Sequence, residues 1–273
     1  MYPVGAHQNI PFSEYRSWDA INQTKLGLLK RSPAHFKHMS EQEDKITEAF
    51  TIGQAVHTAC LEPDKMDRYA VAPDCDKRTK AGKEMYQSWL ETVGDKTIID
   101  TDTYALSLAI SKSVREHKTA SKLLVGGVPE LSLLWEPLTF NLRCKARLDL
   151  FNPTDRFIVD IKTTDQADRF SFTRSIFKYG YARQAAWYLD GAKQLGYTVD
   201  HFVWIVVEKT APYGIQIFRL EDKDLALSHQ ENQDLLKLYQ FCRSNDQWPG
   251  YPEQVQDISL PQFELNRLEE IYG

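Results

Sequence analysis

Apolar and polar residues alternate most regularly in the middle of this 273-residue chain. From Leu142 to Leu150 apolar residues alternate with charged ones, which predicts a strand with one buried face and one exposed, charged face. Residues 152–155 then supply the chemistry of a turn, and a second alternating run from Phe157 to Thr164 predicts the other strand of a hairpin. The charged face of the first strand carries Arg143, Lys145, Arg147 and Asp149. On the second strand Phe157, Val159 and Ile161 share one face, and Ile158, Asp160 and Lys162 share the other.

Elsewhere the hydrophobic period predicts helices and one strand before the hairpin and a mixture of strands and helices after it. The predicted helices are Asp19–Lys30, a second that begins at Pro33, Thr47–Leu61, Thr101–Leu124, Tyr181–Leu195, Leu225–Cys242 and Gln262–Ile271. The other predicted strands are Glu130–Trp135, His201–Glu208 and Gly214–Leu220. Met1–Trp18 is mixed in character, with Ser17 as a candidate helix cap. Met66–Asp100 is predicted to be a polar, locally basic loop and surface helix, and Arg169–Phe177 an aromatic-rich connection.

The composition predicts a soluble globular protein, because 42% of the residues are hydrophobic and 12% are aromatic. Four scattered cysteines without a CxxC pair argue against a zinc ribbon or a disulfide framework and favour a reducing cytoplasm. No signal sequence is apparent at the start, and no apolar run approaches the ~20 residues of a membrane span. The net charge of -5 argues against a nonspecific nucleic-acid coat, though a nuclease with a local basic groove remains possible.

The hairpin places Asp160 and Lys162 on one face, within reach of Asp149 if the strands pair. Two carboxylates can hold Mg²⁺ for phosphodiester hydrolysis, while a lysine orients water or neutralises developing charge. An acidic-x-Lys triplet alone proves little, since four occur in the chain, the others being Glu43–Lys45, Glu116–Lys118 and Glu221–Lys223. Asp160 differs because it interrupts an apolar strand. The alternative is an ion pair of Asp160 with Lys162 or Arg147 on a half-exposed sheet.

Three flanking segments add further candidates, each with a purely structural alternative. His57 lies in a largely apolar helix, where it needs either a metal or a hydrogen-bond partner. Glu130 opens a predicted strand and is either a member of the same site or a rim carboxylate. Tyr181, Gln184 and Tyr188 share a helix face, a pattern more often due to core packing, although a glutamine within it needs a polar partner.

Taken together, these segments resemble the PD-(D/E)xK nuclease superfamily, within it the RecE (exonuclease VIII) and RecB-type branch. The segments that carry the resemblance are GQAVH (53–57), LEP (61–63), PE (129–130), RLD (147–149), DIKTT (160–164) and YARQAAWY (181–188). The resemblance implies an α/β (mixed α+β) fold in which a central mixed sheet is flanked by helices. It covers most of the chain, and we find no internal repeat or linker. We therefore expect one nuclease domain over 1–273, with a helical part to about 125, a sheet core of about 126–220 and C-terminal helices from about 221.

The same resemblance implies a role for each candidate residue. His57, Asp149, Asp160 and the Ile161 carbonyl would be metal ligands, and Lys162 the catalytic lysine. Gln184, with Tyr181 nearby, would contact the scissile region, and Glu130 would be a further site carboxylate. Mg²⁺ is the implied cofactor, with Mn²⁺ able to substitute. An iron–sulfur cluster is not expected, because only one cysteine follows the DIKTT strand.

The activity implied by the resemblance is 5′-to-3′ exonucleolytic digestion of linear double-stranded DNA, leaving 3′ overhangs for recombination in a phage or prophage. The implied partners are duplex DNA ends, further copies of the chain in a ring (tetramer or trimer), and a single-strand annealing protein of the RecT type. The expected location is the cytoplasm of a bacterial host, without membrane contact. Three alternatives stay open: an endonuclease of the same superfamily, a non-catalytic DNA-binding module of the same fold, and an unrelated metal-dependent hydrolase.

Overall fold

The computed structural model describes residues 2–42 and 47–272; the Glu43–Lys45 triplet lies outside them. The helices are α1 (Phe12–Ser17), α2 (Gln23–Leu28), α3 (Pro33–Ser40), α4 (Glu48–Leu61), α5 (Lys80–Val93), α6 (Thr101–Glu116), α7 (Ala120–Leu123), α8 (Arg169–Tyr179), α9 (Tyr181–Gln194), α10 (Asp222–Asn245) and α11 (Gln262–Tyr272). The strands are β1 (Gly5–His7), β2 (Tyr69–Val71), β3 (Thr97–Ile99), β4 (Val128–Trp135), β5 (Cys144–Asn152), β6 (Phe157–Thr164), β7 (His201–Glu208) and β8 (Ile215–Arg219).

A six-stranded sheet in the order β1-β4-β5-β6-β7-β8 forms the centre of the fold. Only β6 and β7 pair in parallel; the other neighbours are antiparallel. The parallel pair is joined by α8 and α9, the crossover that such a connection requires. The predicted fold class is confirmed: a mixed α/β protein with a central sheet flanked by helices.

The two faces of the sheet carry separate apolar cores. One core packs β4 to β7 against α2, α9 and α10, and the other packs β5 to β8 against α4 and α6. Alternation on β6 follows the prediction, because Ile158 belongs to the first core while Val159 and Ile161 belong to the second. Asp160 and Lys162 therefore belong to the side of the sheet that α9 covers.

Side-chain caps explain where several helices begin. Asn22, Ser32, Thr47, Thr79, Asp100 and Asp168 each accept a hydrogen bond from a backbone N–H in the first turn of α2, α3, α4, α5, α6 and α8, respectively. The predicted start at Asp19 was wrong for this reason: Asn22 caps α2, and the preceding Ile21 instead hydrogen-bonds through its backbone to Arg143 and Lys145.

Four other predictions of local structure need correction. The predicted helix Thr101–Leu124 is two helices, because His117 is extended and its Nδ1 accepts hydrogen bonds from the backbone of Thr119 and Ala120. The presumed connection after Asp168 contains α8, a helix that this aspartate caps with two hydrogen bonds. Residues 66–100 include the small parallel pair β2–β3, and the first 18 residues contain β1 and α1, so Ser17 ends a helix instead of capping one.

The charged face of β5 is covered by the N-terminal segment, contrary to the prediction of an exposed face. Lys145 is only 3% exposed, and its Nζ donates hydrogen bonds to the carbonyl oxygens of Tyr15, Arg16 and Trp18. These contacts satisfy the buried ammonium group and hold the segment around α1 against the sheet. Among the described residues, no helix combines the length and apolar character needed to cross a bilayer.

Candidate active site

The candidate site lies where β5 and β6 stop pairing. Their ladder runs from Asn152↔Phe157 to Leu150↔Val159, so the next facing positions are Asp149 and Asp160. Beyond that point side chains replace the ladder: Ile161 N–H donates to Asp149 Oδ2 (2.8 Å). The hairpin thus ends in a gap that is lined by carboxylates and by backbone polar groups of β6 that β5 no longer pairs.

Asp160 is fully buried and depends on the neighbouring side chains for its charge balance. Its carboxylate lies 2.7 Å from Lys162 Nζ, and Oδ1 accepts a hydrogen bond from Gln184 Nε2 (3.1 Å). Oδ2 is the oxygen that contacts the ammonium group, and no other described group donates a hydrogen bond to it. A buried carboxylate oxygen that keeps a free lone pair in this way is suited to a cation.

His57 approaches the same gap from α4, on the other face of the sheet. Its Nε2 lies 2.9 Å from the Ile161 carbonyl oxygen and 3.5 Å from Asp149 Oδ2. Since a carbonyl oxygen can only accept, the first contact requires a proton on Nε2. Side chains therefore bind both backbone polar groups of Ile161: His57 binds its carbonyl oxygen and Asp149 accepts its N–H.

The first turns of α9 supply the opposite wall of the site. The Tyr181 ring lies 4.6 Å from Lys162 Nζ, a cation–π distance. Gln184 also donates to the hydroxyl of Tyr188 (3.1 Å). The polar partner that the sequence demanded for Gln184 is thus Asp160, and the glutamine bridges a site carboxylate and a tyrosine.

Glu130 lies beside the site but is bound to another residue. The β4–β5 register passes from Pro129↔Leu150 to Leu131↔Leu148, which places Glu130 opposite Asp149. Its backbone has φ +51°, a strained value for a residue with a side chain, and its carboxylate lies 2.5 Å from Arg147 Nε. Glu130 is therefore paired with Arg147, and its charge also acts on His57 and Asp149.

Burial and mutual charge determine the protonation of the site. Burial raises the pKa of Asp149 to about 7, His57 and Lys162 oppose this rise, and the charges of Asp160 and Glu130 add to it. Burial disfavours protonation of His57, but the carboxylates of Asp149, Glu130 and Asp160 outweigh it and raise the pKa of His57. Burial likewise disfavours the Lys162 ammonium, yet Asp160 and Asp149 raise the pKa of Lys162 overall.

The donor set suits a divalent cation, although the described residues hold no preformed group of three His, Cys, Asp or Glu side chains close enough to bind one. His57 Nε2, the Ile161 carbonyl oxygen and Asp149 Oδ2 are spaced by 2.9 and 3.5 Å. Adjacent ligands of an octahedral cation with ~2.1 Å bonds are about 3.0 Å apart. The buried Asp160 carboxylate, which is paired with Lys162, supplies a further oxygen. We conclude that these residues fit a hard, oxygen-preferring cation.

The structure brings together seven of the eight residues that the sequence indicated: His57, Asp149, Asp160, Ile161, Lys162, Tyr181 and Gln184. The eighth, Glu130, is bound to Arg147 and acts on His57 and Asp149 through its charge. Sequence analysis did not find the role of Arg147, whose Nη1 also donates to the Ile10 carbonyl (2.9 Å) and so links the N-terminal segment to Glu130. The alternation of β5 placed Arg147 on an exposed face, so no local pattern could have revealed this role.

Comparison with known proteins gives one family match. Residues 13–261 match the family described as "PDDEXK-like domain of unknown function (DUF3799)". The chain is similar to a solved structure described as "Putative exonuclease" from Eubacterium rectale, with a TM-score of 0.57 and 13% identity over 95% of this chain and 98% of that chain; this likeness shows the fold alone. A second solved structure, described as "Crystal structure of SSO0001", matches with a TM-score of 0.33 and 14% identity over 71% of this chain and 88% of that chain. No curated protein matches the chain.

Proposed function

The chain belongs to the PDDEXK-like domain family, and we propose that it is a divalent-metal-dependent nuclease that hydrolyses phosphodiester bonds in DNA. The observation that carries the proposal is Asp160: a fully buried carboxylate, paired with Lys162 and facing Asp149 where two strands diverge. A merely structural ion pair gains little from burial in a gap of the sheet. Carboxylates that bind a cation beside a lysine that binds a phosphate explain why both charges are kept there.

In the proposed site Asp149, Asp160, His57 and the Ile161 carbonyl hold Mg²⁺, or Mn²⁺ in its place. When bound, such a cation polarises the scissile phosphate and makes a bound water more acidic. Asp149 and His57 take part in their deprotonated forms, since a protonated donor has no lone pair to offer.

Lys162 is the proposed catalytic lysine. Its ammonium group is oriented by the Asp160 carboxylate on one side and by the Tyr181 ring on the other. There it neutralises negative charge that develops on the phosphate and positions the attacking water. Gln184 holds Asp160 from α9 and contacts the scissile region.

The finer part of the proposal is 5′-to-3′ exonuclease activity on linear double-stranded DNA that leaves 3′ single-stranded overhangs. It is supported by the motif resemblance to the RecE and RecB-type branch, and the solved structure of similar fold is described as "Putative exonuclease". We further propose that the overhangs serve annealing-type recombination in a phage or prophage, with a RecT-type annealing protein as partner. A homo-oligomeric ring around the duplex would keep the enzyme on its substrate between cuts.

A single assay tests both levels of the proposal. A linear duplex labelled separately at each 5′ and 3′ end is incubated with the protein, with and without Mg²⁺, beside a closed circular control. We expect Mg²⁺-dependent release of the 5′ label from linear DNA and an intact circle. Asp160→Ala or Lys162→Ala should abolish the release while circular dichroism shows a retained fold.

Other outcomes identify the alternatives. Cutting of the closed circle would make the protein an endonuclease of the same fold, and early release of the 3′ label would reverse the polarity. Undiminished digestion by either purified variant would remove these residues from the mechanism. If the wild type digests no DNA and calorimetry detects neither Mg²⁺ nor Mn²⁺ binding, the chain is a non-catalytic module.

A further inference from the structure

The segment from Arg169 to Arg183, which spans α8 and the start of α9, differs in charge from the rest of the chain. The whole chain has a net charge of -5, yet this segment contains four basic residues and no acidic one. Three of its aromatic side chains are unusually exposed: Phe170 by 71%, Phe177 by 90% and Tyr179 by 55%. Exposed rings combined with basic side chains are typical of surfaces that bind a single nucleic-acid strand.

One of these rings is connected directly to the candidate active site. The Tyr179 and Tyr181 rings lie 5.5 Å apart and are tilted by 31°, and Tyr181 in turn contacts Lys162. Gly180 creates this pair because its left-handed backbone (φ +69°) ends α8 and begins α9, which brings the flanking tyrosines side by side. A line of aromatic rings therefore leads from the buried Asp160–Lys162 pair to the protein surface.

A basic groove lies beside the outer end of this line. It has a volume of about 1070 Å³, and its walls include Lys30, Arg174, Lys178, Tyr179 and Arg183. None of the described residues lining it is acidic. Lys30 and Arg183 share one carboxylate, that of Glu231, at 2.5 and 3.4 Å, so the two cations are only partly neutralised. Lys178 Nζ lies over the Tyr179 ring, 5.0 Å from its centroid, so a base that stacks on this face displaces the ammonium group towards the phosphates of the same strand.

We propose that Tyr179 is a stacking platform for the terminal nucleotide of the DNA strand that enters the site, while Lys178 and Arg174 bind its phosphates along the groove. This inference rests on the proposed function and deepens it by assigning how a DNA end is distinguished from internal DNA. A base inside a duplex is already stacked on both faces, whereas a terminal base released from its complement has a free face. Tyr179 can therefore bind only where a strand ends or is unpaired.

A binding experiment with the full chain tests this proposal independently of catalysis. The probe is a linear duplex with the fluorescent base 2-aminopurine at its 5′ end or at an internal position, with Ca²⁺ replacing Mg²⁺ to prevent cutting. We expect the wild type to quench the terminal probe and not the internal one. Tyr179→Ala should lose this quenching and bind roughly 5- to 150-fold more weakly, the range for loss of one stacked base.

Two further variants isolate the ring itself. Tyr179→Phe keeps the aromatic face and should behave as wild type, whereas Tyr179→Leu keeps an apolar side chain without a face and should behave as Tyr179→Ala. The matched control is Tyr251→Ala, which removes a tyrosine that is 64% exposed and packs on His35; it should leave binding unchanged. Circular dichroism of each variant establishes that it is folded.

Hydrolysis measurements separate failure of this inference from failure of the proposed function. Tyr179→Ala should lose activity on linear duplex but not on bis(p-nitrophenyl) phosphate, which has no base to stack. If Tyr179→Ala and Tyr179→Leu bind and cut DNA as well as wild type does, the inference is overturned and the nuclease proposal stands. If the wild type cuts nothing but Tyr179→Ala loses terminal quenching, the inference stands and the nuclease proposal fails. Equal weakening by Tyr251→Ala would also overturn the inference.

Discussion

At the scale of single residues, the buried pair of Asp160 and Lys162 dominates the energetics of the site. Asp160 is 0% exposed, so its carboxylate has lost almost all hydration. Attraction to Lys162 at 2.7 Å and the hydrogen bond from Gln184 offset that loss only in part, because removing two charges from water is costly. Asp160 therefore depends strongly on Lys162 for its contribution to stability.

Lys162→Ala should therefore lower the free energy of unfolding of the metal-free protein by about 3 kcal/mol, because it leaves a buried carboxylate unpaired. The double variant Asp160→Asn/Lys162→Met should recover most of that loss, since neither replacement is charged. Urea unfolding in EDTA, followed by circular dichroism, measures both values. A double variant as unstable as Lys162→Ala would show that the destabilisation comes from lost packing.

Asp149 and His57 determine how the site responds to pH. Both have pKa values raised in the folded protein, Asp149 by burial and His57 by neighbouring carboxylates that outweigh burial. A raised folded pKa favours the folded state at low pH, and the benefit disappears as the pH rises through the folded pKa. The metal-free protein should accordingly gain stability from these two groups as the solution is acidified through neutrality.

A bound cation should reverse this dependence, because it requires both groups in their deprotonated forms. We expect the increase in Tm caused by Mn²⁺ to be largest near about pH 8 and to shrink strongly by about pH 6. Differential scanning fluorimetry with and without Mn²⁺ across this range measures the effect. In the control Asp149→Asn/His57→Asn the Mn²⁺ effect should be absent at every pH; an unchanged effect there would place the cation elsewhere.

At the scale of elements, the site depends on a local departure of β4 and β5 from ideal geometry. Glu130 has a left-handed backbone opposite Asp149. Leu148 and Leu150 belong to different cores, so strict alternation breaks at Asp149. This irregularity coincides with the end of pairing between β5 and β6. The strands thus use a distorted position to aim Asp149 across the gap, a common use of irregularity near active sites.

Glu130 and Asp149 should respond differently to loss of charge. Glu130→Gln keeps the shape of the side chain that binds Arg147 but removes its charge. We expect about a tenfold loss of nuclease activity, which is typical of a residue that supports the metal ligands without binding the metal itself. Asp149→Asn should abolish activity, because it removes a proposed metal ligand. Rates on linear duplex at saturating Mn²⁺ compare the two. Equal loss in both variants would assign Glu130 to the metal.

At the scale of the whole molecule, the C-terminal arm, residues 252–272, lacks the packing that the other elements share. Its helix α11 has no buried residue, and Val255 and Ile258 are 99% and 96% exposed. An isolated helix of this length is marginal in water, and clustered exposed apolar side chains are typical of association surfaces. We infer that this arm packs against a second copy of the chain and so forms a contact of the proposed ring.

Replacing Val255 and Ile258 with Asp should reduce the oligomer to a smaller species, because two charges would have to be buried in the contact. Size-exclusion chromatography with light scattering measures the molar mass. Gln254→Asp/Gln256→Asp adds the same charge at neighbouring exposed positions and should leave the mass unchanged. A wild-type chain that is monomeric at all concentrations would contradict both the arm's role and the ring.

The sequence by itself determined the hairpin, most helices and strands, and the facing positions of Asp149, Asp160 and Lys162. Period-2 alternation on β6 places Asp160 and Lys162 on one face, and the turn at 152–155 places Asp149 opposite them. The sequence also showed that a histidine in α4 and a glutamine in α9 need polar partners, because an apolar helix face cannot leave them without one. Local chemistry did not identify those partners; only the resemblance to the nuclease family assigned His57 and Gln184 to the site.

Only the tertiary structure decided which charged groups are buried and which partners they have. The alternation of β5 predicted an exposed face, but the N-terminal segment covers it, and Lys145 hydrogen-bonds to three carbonyl oxygens more than 120 residues away in the chain. The sequence left the partner of Glu130 open, and the structure shows that it pairs with Arg147 on the neighbouring strand. Such outcomes depend on contacts between distant segments, whose geometry no local pattern contains. The gap between Asp149 and Asp160 became a candidate metal site when α4 and α9 closed on it from opposite faces of the sheet.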